Sequence, residues 1–277
     1  MKNYNVVDKI IIAALDEDKS SYDLTSEYLF EEKHLSSAKL IAKEDGIISG
    51  IDIFERTFKL VDSDVHITWF VCNGENIQNG QILAEIEGRT KSLLFAERTG
   101  LNFIQRLSGI ATETRKYVQQ VDPYPTKIVD TRKTAPGMRV LDKRAVKDGG
   151  GHNHRFNLSD GILIKDNHIQ ASNGITQAIK KIKENVPHTL KIEIEVESLD
   201  GLIEAIDAGA DIVMLDNMTD EMMEKAVAIA NGKVLLEASG NMTLERVSKV
   251  ARLGVDIISV GALTHSVKAL DISLRFV

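Results

Sequence analysis

The sequence predicts an α/β protein in two parts: a small α+β unit in the first third, then a parallel strand–helix array from residue 127 onward. Three observations carry this. Short apolar runs broken by Asn-Gly turns fill the chain up to residue 92. Helical period takes over from Leu93 to Val118. Apolar runs then begin at 192, 211, 234 and 255, roughly 20 residues apart with helical stretches between them, which is the spacing of βα units.

Each element has its own reason. Val6 to Leu15 has the spacing of a short helix, and Ala38 to Ala42 reads as a strand. Val65 to Val71 alternates and ends at Asn73-Gly74. Asn79-Gly80 turns into Gln81–Glu87, where Ile82, Ala84 and Ile86 are expected on one face. In the segment Leu93–Val118, Leu94, Leu101, Ile104, Leu107 and Ala111 follow helical spacing, with Gly100 and Gly109 as weak points. This helix is expected to bridge the two halves. Strands follow at Lys127–Val129, Gly161–Ile164, Ile192–Val196, Asp211–Leu215, Val234–Leu236 and Val255–Val260. Helices are expected at Leu199–Ala208, Thr219–Ala230 and Thr243–Leu253. Such alternation makes a parallel sheet, open or closed into a barrel, and six strands fall short of an eight-stranded barrel.

Composition narrows the function. The 277 residues are 43% hydrophobic and 27% charged, the balance of a globular protein. The net charge of −7 argues against coating nucleic acid, and no apolar run near the start is long enough to span a membrane, so a cytoplasmic protein is expected. A single cysteine, Cys72, excludes a disulfide framework and a CxxC site. Charge is uneven, however. Residues 127–168 hold nine Lys/Arg against five Asp, while the rest of the chain holds 25 Lys/Arg against 36 Asp/Glu. A basic island in an acidic protein suits a small polyanionic ligand, or else a solvated charged face.

Polar residues follow every predicted strand: Asp130-Thr131-Arg132-Lys133, Lys165-Asp166-Asn167-His168, Glu195 with Glu197, Asp216-Asn217, Glu237 with Ser239-Gly240, and Gly261. In a parallel barrel these ends share one rim, which carries the chemistry. Ser239-Gly240 and Val260-Gly261 place glycine where strand turns into helix, the geometry of a phosphate loop and also of an ordinary turn. Glu195 and Asp216 end successive strands. Two such carboxylates can hold Mg²⁺ or stabilise a developing cation on a sugar, or they can pair with nearby lysines and arginines. Arg132, Lys133 and Arg155 offer anion contacts. The run Gly149-Gly150-Gly151 lets backbone approach a ligand closely. His152-x-His154 could ligate a metal, but no third soft ligand stands at metal spacing, and His154 could equally be a packed, hydrogen-bonded residue. Lys165 fits both an anion contact and a Schiff-base nucleophile.

Several segments together resemble the quinolinate phosphoribosyltransferase family. They are Ala96–Asn102, Leu107–Thr112, Asp130–Arg139, Gly149–Arg155, Leu163–His168 and Val260–Ser266, with Ala14–Asp18 and Asp23-Leu24-Thr25 resembling the family's opening. The likeness runs from about residue 6 to the end. Tyr22 departs from the family's glycine, and Asn241 stands where many members have a second glycine.

The resemblance implies an N-terminal α/β sandwich over 1–112, joined by the segment 268–277, and an incomplete, seven-stranded α/β barrel of type II phosphoribosyltransferase kind over 113–267. It implies quinolinate and phosphoribosyl pyrophosphate as substrates, Mg²⁺ as cofactor, and a homodimer or higher oligomer with shared sites. By similarity, Arg98, Arg132, Arg155 and Lys165 hold the quinolinate carboxylates, and Thr131 and His154 belong to the same binding set. Lys133 lies between quinolinate and pyrophosphate. Glu195 and Asp216 meet ribose hydroxyls and Mg²⁺, and Ser239, Gly240, Val260 and Gly261 cradle the 5′-phosphate. Lys133, Lys165, Glu195 and Asp216 form the catalytic set. Arg98, in the helical segment, would serve the neighbouring subunit. Three other readings stay open at this point: a molybdate-operon relative of the same fold, a Schiff-base aldolase using Lys165, and a non-catalytic anion binder.

Overall fold

The computed structural model describes residues 5–18 and 23–277, so Tyr22 lies outside the described residues. The elements, in chain order, are α1 (Val6–Asp18), α2 (Leu24–Leu29), β1 (Leu35–Ala42), β2 (Gly46–Ile47), α3 (Ile51–Val61), β3 (His66–Trp69), β4 (Asn76–Ile77), β5 (Ile82–Arg89) and α4 (Thr90–Val121). They continue with β6 (Lys127–Val129), α5 (Arg139–Asp148), β7 (Ile162–Ile164), α6 (Asp166–Ala171), α7 (Ile175–Asn185), β8 (Ile192–Val196), α8 (Leu199–Asp207) and β9 (Ile212–Asp216). The last are α9 (Asp220–Ala230), β10 (Leu235–Ser239), α10 (Leu244–Leu253), β11 (Ile257–Ser259), α11 (Ala262–His265) and β12 (Ile272–Phe276).

The chain divides into two compact units. The first comprises residues 1–115, 134–150 and 263–277, and the second 116–133 and 151–262. This differs from the sequence-derived ranges over 134–150, where α5 falls in the first unit. Two contacts within that unit account for it. Arg106 pairs with the fully buried Asp142 of α5 at 2.9 Å, and Gly149 packs against Thr114 Cβ so closely that an added Cβ would stand 2.6 Å away.

The first unit is built on an antiparallel sheet of order β12-β1-β5-β3. Its core joins Leu40, Leu83 and Ile86 of the sheet to Phe54 and Phe58 of α3 and to Leu93 and Ile104 of α4. Phe54 stacks tilted on Phe58 at 4.8 Å and edge-on to Trp69 at 5.7 Å. The expected face of β5 needs one correction. Ile82 is exposed and Leu83 is buried, because β1 and β5 shift register between Leu40 and Ile41, and a bulge flips alternation. The two glycines of α4 also do not weaken it; the helix runs unbroken for 32 residues. Gly109 instead admits the backbone carbonyl of Lys268, which a Cβ would strike, and so seats the segment leading to β12.

The second unit holds six parallel strands in the order β6-β11-β10-β9-β8-β7. A further single-residue bridge pairs His152 with Val129, in parallel, beside β6. The seventh strand of the incomplete barrel is thus reduced to one residue. Helices α8, α9 and α10 start on Ser198, Thr219 and Thr243, each of whose side-chain oxygens accepts a backbone N–H of the first turn. Among the described residues no helix is long and apolar enough to cross a membrane.

Candidate active site

Within the second unit, period-two alternation puts Glu193 and Glu195 on the same face of β8, Met214 and Asp216 on the same face of β9, and Glu237 and Ser239 on the same face of β10. The register aligns Glu195 with Met214, Met214 with Glu237, and Asp216 with Ser239. By this register Asp216 and Ser239 are level with one another toward the carboxyl ends of the strands, Glu195, Met214 and Glu237 are level two residues below them, and Glu193 lies two residues further down β8.

Above them opens a cavity of about 580 Å³ lined by Thr131, Arg132, Lys133, His154, Arg155, Lys165, Glu195, Asp216, Ser239 and Gly240, with Leu163, Met214, Asn217, Glu237, Asn241 and Ser259 completing the wall. Ten of the sequence-predicted residues thus meet in one place. Asn217, named among the polar strand ends, and Asn241, which stands in place of the family's second glycine, also line it. Both adopt the left-handed backbone, at φ of 53° and 50°, which asparagine tolerates in tight turns.

Lys165 Nζ pairs with Glu195 Oε2 at 2.9 Å. Asp216 accepts from Asn217 Nδ2 at 2.8 Å. Burial raises the Asp216 carboxyl above its ordinary range, and the neighbouring Glu195 charge raises it further. Burial pulls the Arg155 guanidinium down, and so does the adjacent Arg132. Two crowded cations and two crowded carboxylates on one wall are each relieved by a ligand of opposite charge. Asp216 and Glu195 are hard oxygen donors whose mutual repulsion a small divalent cation would neutralise, so their placement fits Mg²⁺.

Beneath the cations lies a buried acid pair of Glu237, expected among the polar strand ends, and Glu193, which sequence reasoning missed. Glu193 is 5% exposed and Glu237 1% exposed. His154 Nε2 stands 3.0 Å from Glu193 Oε2 and 3.6 Å from Glu237 Oε2. Burial, and then Glu193, push the Glu237 carboxyl up to about 7. The signal for Glu193 was its acid side chain inside the apolar run Ile192–Val196, in phase with Glu195. His152 does not join His154 in that cluster. Its backbone instead makes the bridge to β6, donating to Ile128 O at 2.9 Å and accepting from Asp130 N at 3.1 Å.

Val260 and Gly261 are not among the residues lining this cavity, and the Val260 N–H donates to Val129 O at 2.9 Å. Of the two glycine loops, Ser239-Gly240 is the one that lines the cavity. Arg98 lies in the first unit, exposed, on a separate cavity of about 530 Å³ shared with Asn102, Arg106 and residues 135–138.

The family model of the quinolinate phosphoribosyl transferase N-terminal domain matches residues 23–108, and that of the C-terminal domain matches 110–275. A probable nicotinate-nucleotide pyrophosphorylase [carboxylating] of Bacillus subtilis is 45% identical over 93% of this chain and 89% of its own length. A mitochondrial quinolinate phosphoribosyltransferase [decarboxylating] of Nicotiana tabacum is 40% identical over 96% of this chain and 81% of its own. The solved structure of nicotinate-nucleotide pyrophosphorylase from Francisella tularensis superposes with a TM-score of 0.94 at 43% identity, covering 98% of this chain and 96% of that one. The two matched domain models together span nearly the whole chain, and it belongs to the quinolinate phosphoribosyltransferase family.

Proposed function

We propose that this protein transfers the phosphoribosyl group of phosphoribosyl pyrophosphate to quinolinate, giving nicotinate mononucleotide, pyrophosphate and CO₂ in NAD biosynthesis. The observation that carries the reading is the meeting in one cavity of a cationic set, Arg132, Lys133, Arg155 and Lys165, and a carboxylate pair, Glu195 and Asp216. A dicarboxylate and a polyphosphate need the first; a ribosyl cation needs the second.

The pyridine nitrogen of quinolinate forms a bond to the anomeric carbon as the bond to pyrophosphate breaks. Positive charge develops on the sugar ring, and Glu195 and Asp216 are placed to stabilise it. Arg132, Arg155 and Lys165 orient the two carboxylates, and Lys133 stands between them and the pyrophosphate. The bond from C2 to its carboxylate then breaks, CO₂ departs, the electron pair stays on C2 where the adjacent positive pyridinium nitrogen stabilises it, and C2 uses that pair to take up a proton. Here the protein contributes placement and charge. Glu195 and Asp216 would hold Mg²⁺, which neutralises the leaving pyrophosphate when bound. Ser239 and Gly240 would hold the 5′-phosphate.

Arg98 is assigned to the partner subunit's cavity, so the working form is a dimer or a larger assembly, acting in the cytoplasm. The aldolase reading loses support because the chain belongs to a phosphoribosyltransferase family. The test is a direct product assay with quinolinate and nicotinate as competing bases. Nicotinate mononucleotide formed from quinolinate, with nicotinate a poor substrate, supports the reading. Equal use of both bases, or no product with phosphoribosyl pyrophosphate present, overturns it.

A further inference from the structure

The buried acid pair beneath the cavity has a geometry that fixes the state of His154. The backbone N–H of Arg155 donates to His154 Nδ1 at 2.8 Å. An N–H can only donate, so Nδ1 keeps its lone pair and the ring's single proton sits on Nε2. That proton faces Glu193 at 3.0 Å, with Glu237 behind it at 3.6 Å. The residue is also anchored through its backbone, because His154 N–H donates to Asp130 Oδ1 at 2.9 Å. Asp130 is fully buried and accepts from Asn153 Nδ2 on its other oxygen at 2.6 Å.

The hydrogen-bond accounting then points to a second proton. One imidazole N–H confronts two buried carboxylates, on β8 and β10, and the Oε1 atoms of both lack a hydrogen-bond partner, with the Ser259 hydroxyl the other donor group beside Glu237. Two adjacent buried carboxylates with so few donors disfavour a second negative charge. Glu237 is the deeper of the two, and the second proton is assigned to it.

We propose that Glu193 and Glu237 are positioning residues that lock His154 as the neutral Nε2–H imidazole, with Glu237 protonated, so that His154 offers the bound aromatic acid a fixed, uncharged ring. That the ligand is an aromatic acid rests on the function proposed above; the locked tautomer does not. The cavity's positive charge then comes from its arginines and lysines alone. His154, with Nε2–H held by the glutamates and Nδ1 held by the backbone, is a shape-setting wall and not a proton donor to the reacting ring.

The experiment is nuclear magnetic resonance on the full-length protein labelled with ¹⁵N in its histidine rings, without substrate, using His154→Asn to assign the signals. The expected result is a neutral His154 ring protonated at Nε2 at neutral pH. An imidazolium, or a ring protonated at Nδ1, overturns the proposal whatever the enzyme's substrate. Kinetics supply the second readout. Glu237→Leu keeps the volume and removes the donor, and it should raise KM for quinolinate by about ten- to a hundredfold while KM for phosphoribosyl pyrophosphate stays within about twofold. Glu237→Gln keeps a donor and should restore the quinolinate KM to within about threefold of the parent value. Equal rises in both KM values, or a Gln variant as impaired as Leu, contradict the positioning role. The same three side chains bring ligand atoms within 4.8 Å of one another, so elemental analysis of the purified protein is the last arm. A stoichiometric transition metal that Glu237→Gln abolishes would show a metal site in place of the proton assigned to Glu237.

Discussion

Lys165 Nζ and Glu195 Oε2 stand 2.9 Å apart at the carboxyl ends of the neighbouring strands β7 and β8, so the cation proposed to hold the acid substrate and the carboxylate proposed to face the sugar cation are in direct contact. The Lys165 side chain is 46% exposed and that of Glu195 14% exposed. Such a pair contributes little to folding, so Lys165→Ala should change unfolding free energy by less than about 1 kcal/mol. Its loss to catalysis should be far larger, about 2–5 kcal/mol in kcat/KM for quinolinate, because two ligand carboxylates lose a partner. Thermal melts and steady-state kinetics on the same preparation check both halves. A folded variant with parental kcat/KM contradicts the assignment.

Arg155 sits where burial and Arg132 both disfavour its charge, and a bound dianion is what removes that conflict. Arg155→Ala should therefore weaken quinolinate binding by about 2–5 kcal/mol and phosphoribosyl pyrophosphate binding much less. Calorimetric titration of each ligand decides it, and equal losses for both would place Arg155 elsewhere in the site.

Most of the second unit was legible because each parallel strand is a short apolar run ending in a polar residue, and the structure has strands at all six of the expected places. The bridge at His152 was not, since a single pairing residue leaves no pattern. Helix α5 hid inside the basic island, where Lys143, Arg144 and Lys147 mask the apolar spacing of Leu141, Ala145 and Val146. Ile82 lies on the other face from the one expected because the extra residue, Leu83, is defined only by the pairing of β5 with β1 and cannot be read from β5 alone. The cavity residues were legible as strand ends. The acid pair was not, because Glu193 and Glu237 are 44 positions apart and meet only when β8 and β10 flank β9.

The first unit offers a test independent of function. Asp62, 4% exposed, pairs with Arg89 at 2.7 Å, which holds its carboxyl well below the usual range despite burial. A depressed folded-state pKa contributes stability that is present above the unfolded value of about 3.9 and lost as pH falls below it. Asp62→Asn should thus cost about 1–2 kcal/mol at neutral pH, discounted for the exposed Arg89 side chain, and the gap to the parent should shrink near pH 3. Denaturant melts at the two pH values measure it; a gap that widens in acid contradicts the sign.

Arg98 lines a cavity of its own unit and is absent from the lining of the catalytic one. If it completes the partner's site, Arg98→Ala and Lys165→Ala are each inactive alone but complement when subunits exchange. Random pairing makes half the dimers mixed, and half of their sites are whole, so about a quarter of parental activity should return. A mixture that stays inactive, with exchange verified by mass spectrometry, assigns Arg98 to its own subunit.

The central claim is that one cavity joins ribosyl transfer to loss of a single, defined carboxylate. The most direct measurement supplies quinolinate labelled with ¹³C in only the 2-carboxylate or only the 3-carboxylate, together with phosphoribosyl pyrophosphate and Mg²⁺, and follows label and products together. The account predicts labelled CO₂ from the 2-carboxylate alone, equimolar with nicotinate mononucleotide and pyrophosphate. Label released from the 3-carboxylate, or CO₂ released without nucleotide, would contradict it.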